Sequence, residues 1–543
     1  MKKIVSFRGR DLIDRNTDIS KPKSRGSWWA GVMCSLPLVA TLLVGLTLLL
    51  LLPADVRADS FTVTDLKDEG SANPSFCTNP RYKDRFCTLR GAINAANKSW
   101  QSNKQSNTIY LPHGDYKLGR PLPPTVGSLV ISGDGSDATK IWGPCTTNRR
   151  EESNGHCVPF TQFPSSILTI AEDAHLRLAE MTIQGGFKGG DEGEFGVGGI
   201  LNEGGGHLEL VRVTVMGNGT HTGAGGILSK SGSTVLLDRS TVRDNFSHHG
   251  PGAGIVIEPD STVTIIDSTI SGNQVVVSDE CDGGCGGGIQ NRGLLVIQNS
   301  TLSGNRTLGI NNFNSSNIVS AGGILNQGTD GEDSNLSHNG EAWLKSVTIT
   351  ANEGVIGSKS STGGVNNAGG KFHFFNTIIA GNHGGESGLV PDCLGDLISL
   401  RGNLVGDPGF RNGTVPCTVM DWPSLPSSGA PRDQIGRKTT QSVISIKDIF
   451  VTDSFSVPLL NNNGGHTCTV ALCSDGSCLT LRNSRAANAA WPNSAGRPFA
   501  CEANDQRAAA RGSSCDIGAF ETGTPSPLFL PGLQCSGLEE LKK

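Results

Sequence analysis

"LDRSTVRDN" (residues 237–245), "IIDSTISGN" (265–273) and "IQNSTLSGN" (297–305) are one nine-residue phrase written three times, about thirty residues apart. Aligning the chain on its threonine makes Thr182, Thr214, Thr241, Thr269, Thr301, Thr348 and Ile378 equivalent. Four positions earlier stand Leu178, Leu210, Leu237, Ile265, Ile297, Leu344 and Phe374. Six earlier stand Leu176, Leu208, Val235, Val263, Leu295, Ala342 and Phe372, and one later Ile183, Val215, Val242, Ile270, Leu302, Ile349 and Ile379. Alternation within each stretch is the period of a strand, and recurrence at coil length marks a solenoid. The expectation is an all-β chain, a right-handed parallel β-helix. Seven aligned coils, each advancing about 4.8 Å, give a rod of roughly 30 Å before its caps.

Two further columns belong to the scaffold. Asn218, Asn245, Asn273, Asn305, Asn352 and Asn382 close the strand in successive coils, where stacked amides can satisfy one another and tolerate a left-handed turn. The pairs Gly199-Ile200, Gly226-Ile227, Gly254-Ile255, Gly288-Ile289 and Gly323-Ile324 mark the opposite corner, glycine for the bend and isoleucine for the core.

The 543 residues include 73 glycines, while only 5% are aromatic and 17% charged, a chain rich in tight turns and poor in surface helices. A net charge of −5 lacks the basic footprint of a nucleic-acid binder. Residues 1–58 read as a signal peptide or signal anchor: basic residues, an uncharged run over 31–52, then Val56-Arg57-Ala58, which places the mature start at Asp59. Secretion or surface display is expected, with the periplasm as an alternative and membrane contact only through this segment. Setting Cys34 aside with the leader leaves an even number of cysteines, which favours disulfides. The near pairs Cys77/Cys87, Cys145/Cys157, Cys281/Cys285 and Cys393/Cys417 are expected. Cys468, Cys473, Cys478, Cys501, Cys515 and Cys535 form a C-terminal cluster for which zinc is the competing reading.

"CTLRGAINAAN" (87–97) precedes the coils, and "NTIIAGN" (376–382), "PDCLGD" (391–396), "GNLVGD" (402–407), "LLNNNGGHTCTVAL" (459–472) and "DQRAAARGSSCDIGAFE" (505–521) follow. Together they resemble the exported bacterial proteins that carry a CSLREA-type segment, a pectate-lyase-like β-helix and a choice-of-anchor C-terminal region. Thr88 and Gly91 stand where that family has Ser and Glu. The resemblance implies an architecture and an exported location, with no single activity. Members usually continue into a surface anchor; residues 522–543 carry neither a second apolar span nor a sorting motif, so release, or retention by the N-terminal segment, is expected. Read from the residues alone, Leu89, Ile93 and Ala96 share one helical face that would cover the first coil. The expected organisation is a cap with first coils over 59–165, repeats over 166–385, a choice-of-anchor-like region over 386–522 and a tail over 523–543.

Parallel β-helices that act on polysaccharides use calcium with a basic residue, or carboxylates grouped on adjacent coils. Two positions before the threonine lie Glu180, Arg212, Arg239, Asp267, Asn299, Ser346 and Asn376, with Asp238 beside Arg239. No carboxylate pair emerges there, and Asp238 with Arg239 reads as a surface ion pair. Calcium could be held at Asp279, Glu280 and Asp282 or at Asp330, Glu332 and Asp333, although neither loop has a calcium-loop spacing. No other cofactor is expected. His248 and His249, adjacent on a strand, should point to opposite faces and not chelate together.

Five positions before the threonine, Trp343 and His373 are stacked neighbours facing outward. An exposed indole is a platform for the apolar face of a pyranose; the simpler reading covers Trp343 with the insertion 328–340. Trp343, His373, Arg239 and Asp267 are therefore the candidate ligand-binding residues, with no catalytic set assigned. The expected function is an exported or cell-surface interaction module for polysaccharide or a cell-surface glycan. A polysaccharide lyase or glycoside hydrolase, and a purely structural surface protein, are the alternatives.

Overall fold

The computed structural model describes residues 58–68, 73–143, 166–189, 195–277, 284–309, 319–328, 340–356, 360–385, 392–409, 416–423, 431–436, 444–492 and 500–527, with single positions 530, 533 and 535. All fall within one compact unit. Cys145, Cys157 and Cys281, and all six acidic residues of the two calcium candidates, lie outside them.

Successive coils pair in parallel, and the register joins the aligned columns residue for residue. Val235 faces Val263, which faces Leu295, then Ala342, then Phe372, while Thr241 faces Thr269, Thr301, Thr348 and Ile378 in turn. The chain is a right-handed parallel β-helix. A second wall stacks Ile200–Asn202, Ile227–Ser229, Ile255–Ile257, Ile289–Asn291, Ile324–Gln327 and Val365–Ala368. A third, shorter wall runs through Gly219–Thr220, Phe246–Ser247, Gln274–Val277 and Arg306–Gly309. The three apolar columns are buried throughout, each aliphatic side chain contributing about 1.5–3 kcal/mol. Parallel pairing extends beyond the aligned coils, to Ser128–Ser132 on one side and to Cys393–Ser399 and Cys417–Asp421 on the other.

The repeated phrase resolves into jobs. Its middle is a bend: Glu180, Arg212, Arg239, Asp267, Asn299, Ser346 and Asn376 have φ between 49° and 58°. A left-handed non-glycine residue costs about 1–2 kcal/mol, and the serine that follows offsets it. The Ser268 hydroxyl accepts from the Ser240 amide at 3.0 Å and donates to the Ile266 carbonyl at 2.6 Å, and Ser300 does the same for the next coil. The last residue is the asparagine ladder. Asn245 Nδ2 donates to Asn273 Oδ1 at 2.9 Å, Asn273 to Asn305 at 2.9 Å, Asn305 to Asn352 at 2.8 Å and Asn352 to Asn382 at 2.9 Å. Each Oδ1 also accepts the backbone N–H of the preceding asparagine. The ladder ends on buried Asp392, which accepts from Asn382 N and Nδ2 and from Asp407 N. A shorter ladder of Asn291, Asn326 and Asn367 closes the opposite corner.

The cap is the helix Leu89–Asn103, whose N-cap Thr88 accepts from the Gly91 amide at 3.1 Å. Leu89, Ile93 and Ala96 are buried, as the helical face requires. Arg90 is buried with them, paired to Asp68 and donating to the carbonyls of Arg120 and Pro121.

Disulfides join Cys77 to Cys87 and Cys393 to Cys417, as their spacing predicts, and Cys468–Cys535, Cys473–Cys478 and Cys501–Cys515 form from the C-terminal cluster. Cys285 is also disulfide-bonded. Such bonding belongs to chains outside the reducing cytosol. Among the described residues no helix is long and apolar enough to cross a membrane.

Candidate functional site

The C-terminal region lies on the outer side of the threonine column. Thr269 Oγ1 donates to the Cys468 carbonyl at 2.6 Å, Thr301 Oγ1 to Gln506 Oε1 at 2.6 Å, and the Ala519 amide to Thr348 Oγ1 at 3.0 Å. Outward-pointing Thr269, Thr301 and Thr348 are thereby fully covered. Ile378 and Leu404 join Ile449, Phe450, Val470 and Ile517 in a second hydrophobic core. The phrase "DQRAAARGSSCDIGAFE" holds this cover together. Arg507 pairs with Asp505, Arg511 pairs with Glu521 at 3.0 Å, and all four are buried.

Beside the cover, among the described residues, the outer face of the sheet on the other side of the bend is partly exposed. Its aromatic end is built by register: Trp343 faces His373, which faces Ile398 on the next coil. The two rings stack at 3.9 Å and 17°. Trp422, from the coil beyond, sets its indole 5.1 Å from His373 and 6.2 Å from Trp343. His373 is 3% exposed and was expected to face solvent; two indoles cover it instead. Burial, helped by Lys371 and opposed by Glu341, brings its imidazole down to about 4, so it is neutral. Trp343 and Trp422 are half-buried and carry the outward surface. Trp343 Nε1 donates to Glu341 Oε1 at 2.6 Å, fixing the indole. Residues 329–339 of the insertion expected to cover Trp343 are outside the described set.

The polar end lies two to three coils from Trp343 along the axis, about 10–15 Å. Arg239 and Asp238 form the expected ion pair, bidentate at 2.9 and 2.6 Å, and Arg212 pairs with Glu180. The side chains of this column leave a left-handed bend and not a regular strand, because the serine ladder fixes the backbone there. Asp267 accepts from Asn299 Nδ2 at 2.6 Å, and its carbonyl accepts from Thr467 Oγ1 at 3.0 Å. Burial pushes its carboxyl up to about 7; Asn299 opposes that and the Asp238 charge adds to it. His466, on the cover, faces the same charges: burial and then Arg212 and Arg239 lower its imidazole. The structure thus brings Asp238 and Asp267 into one electrostatic group, where sequence spacing showed no carboxylate pair. Trp422 and His466 escaped sequence reasoning because one lies past the aligned coils and the other is distant in the chain.

His248 and His249 correct a second expectation. Strand Phe246–Ser247 ends before them, so the alternation of a strand does not apply, and their rings converge with Nδ1 of His248 2.5 Å from Nε2 of His249.

No family model and no curated protein matches the chain. Solved structures do. The chain is similar to the A-module of a mannuronan C-5 epimerase from Azotobacter vinelandii at 14% identity, covering 69% of this chain and 97% of that one, with a TM-score of 0.32. A pectin methylesterase from Erwinia chrysanthemi follows at 12% identity, 69% and 93% coverage and a TM-score of 0.28. A family 28 exopolygalacturonase from Yersinia enterocolitica stands at 10%, with 70% and 78% coverage and a TM-score of 0.25. These similarities concern the fold alone.

Proposed function

We propose that this is an exported β-helix that binds polysaccharide, or a glycan of another cell's surface, along this outer face. The observation that carries the reading is the pair of partly exposed indoles, Trp343 on its strand and Trp422 just past the end of one, packed against neutral His373. Indole faces take the apolar faces of pyranose rings. Glu341 and, farther along, Arg239 with Asp238 and Asp267 would meet sugar hydroxyls or uronate groups. Export rests on the leader-like residues 1–58 and the disulfides, and the CSLREA-type relationship on the quoted phrases. A glycan array on the full chain identifies the ligand. Trp343→Ala and Trp422→Ala should each weaken binding at least tenfold while the melting temperature stays within a few degrees. Unchanged affinity in both would remove this face from the function.

A second reading, glycoside hydrolysis or polysaccharide elimination, is favoured by one observation: Asp267, raised to about 7, stands beside Asp238 and Arg239 on the adjacent coil. A carboxylic acid so raised can protonate a leaving oxygen near neutral pH. Reducing-sugar and unsaturated-product assays, with Asp267→Asn as the control, decide between turnover and binding alone.

A further inference from the structure

The third wall carries a cluster that the carbohydrate reading does not use. Strand Gly219–Thr220 pairs with Phe246–Ser247 so that Gly219 faces Phe246 and Thr220 faces Ser247. His221 therefore falls opposite His248, one coil spacing away, and their rings stack at 5.4 Å and 11°. The chain then turns. The Gly250 amide donates to Ser247 Oγ at 3.0 Å, that hydroxyl donates to the Gly223 carbonyl at 3.0 Å, and the His249 amide donates to the His221 carbonyl at 2.7 Å. Both glycines are required: a Cβ on Gly250 would meet Gly223 backbone at 2.2 Å, and Gly223 has φ +121° with Gly196 backbone 2.0 Å from its own. The turn folds the His249 ring back to 4.8 Å from that of His221 and 4.2 Å from that of His248.

We propose that His221, His248 and His249 bind a divalent transition cation of the imidazole-preferring class, zinc first among them. One ligand nitrogen from each ring lies within 4.8 Å of the other two. Tetrahedral zinc, with Zn–N near 2.0–2.1 Å, needs its ligand atoms about 3.4 Å apart, within reach of small rotations of the three rings. An independent observation points the same way: His221 Nδ1 is buried and, among the described residues, has no hydrogen-bond partner. A buried imidazole nitrogen without a partner is destabilising, a penalty that coordination through that nitrogen would remove. Three imidazoles leave further coordination positions for water or a ligand oxygen. Such a site would also tie adjacent coils together from outside the core.

The test uses the full disulfide-bonded chain and two probes, Zn2+ in equilibrium dialysis and Co2+ in visible spectroscopy. One equivalent of retained Zn2+ is expected, with a Co2+ band of tetrahedral intensity and a melting temperature raised by several degrees when Zn2+ is added. His221→Ala with His249→Ala should lose all three, affinity falling at least a hundredfold. His248→Gln, milder in packing, should weaken binding at least tenfold with an unchanged far-ultraviolet circular dichroism spectrum. Absence of retained Zn2+ in the parent chain would overturn the proposal. So would Zn2+ retention that survives the double substitution, because the ion would then sit elsewhere.

Discussion

The coil stack and the C-terminal cover are built on opposite principles within one molecule. In the stack the corner contacts repeat from coil to coil: Asn273 does for Asn245 what Asn305 does for Asn273. Stability there is a sum of nearest-neighbour increments. In the cover each contact is singular. Gln506 Nε2 alone reaches the Ser268 carbonyl, Thr269 Oγ1, Thr467 Oγ1 and the Cys468 carbonyl. Its core is small, and disulfides and buried ion pairs supplement it. Repetition tolerates the loss of one rung, whereas a singular network loses its whole purpose with one member.

That contrast is broken or sharpened by substitution. The largest effect is expected from Arg511→Ala, which strands Glu521 and removes donors to the Asp516 and Gly518 carbonyls and to Asn299 Oδ1. Breaking a buried pair costs about 3–5 kcal/mol, so the cover should release as a unit. Limited proteolysis should cut within 444–535 while the stack keeps its β circular dichroism; cooperative loss of both would show that the stack needs its cover. Asn273→Ala comes next. It leaves Asn245 N and Nδ2 without their acceptor, at about 1–3 kcal/mol, read as a lowered denaturant midpoint with ligand binding retained in the folded protein. A cost equal to that of Arg511→Ala would erase the distinction between rung and keystone.

Smaller still is the effect of pH on the end of the ladder. Burial raises the Asp392 carboxyl to about 7, against the N–H groups of Asn382 and Asp407 that favour its charge. The folded state therefore binds a proton that the unfolded state releases near the ordinary carboxylate value. Its contribution is complete below about 4 and declines as pH rises through 7. Asp392→Asn, measured by urea midpoint, should gain relative to the parent chain between pH 4 and pH 8; a constant difference across that range would show the carboxyl to be ionised throughout. The smallest effect on stability belongs to Trp343→Ala, about 1 kcal/mol or less if the half-buried indole serves binding alone. A loss of 3 kcal/mol or more, the cost of truncating a core aromatic, would return that tryptophan to packing.

The periodic half was legible because it is written in repetition. The spacing of Thr241, Thr269 and Thr301 fixes the register, and the register then fixes which of Leu237, Ile265 and Ile297 enter the core. Asparagine and glycine columns announce the corners for the same reason. The site was legible only in part. Trp343 beside His373 follows from register, but the burial of His373 depends on Trp422, which follows strand Cys417–Asp421, past the last coil that the repeated phrase aligns.

The sequence by itself determined the coil, its period and its inward columns, since these rest on contacts between residues one coil apart. Only the tertiary structure decided what covers the coil from outside. Thr269 meets Cys468 across 199 residues and Arg511 meets Asn299 across 212, and no periodicity links such partners. It decided likewise that His248 and His249 converge on His221, because a turn after two strand residues overrides the alternation that adjacent strand positions would have obeyed. Local patterns specify which side of the backbone is dry; the path of the whole chain specifies what arrives on the other side.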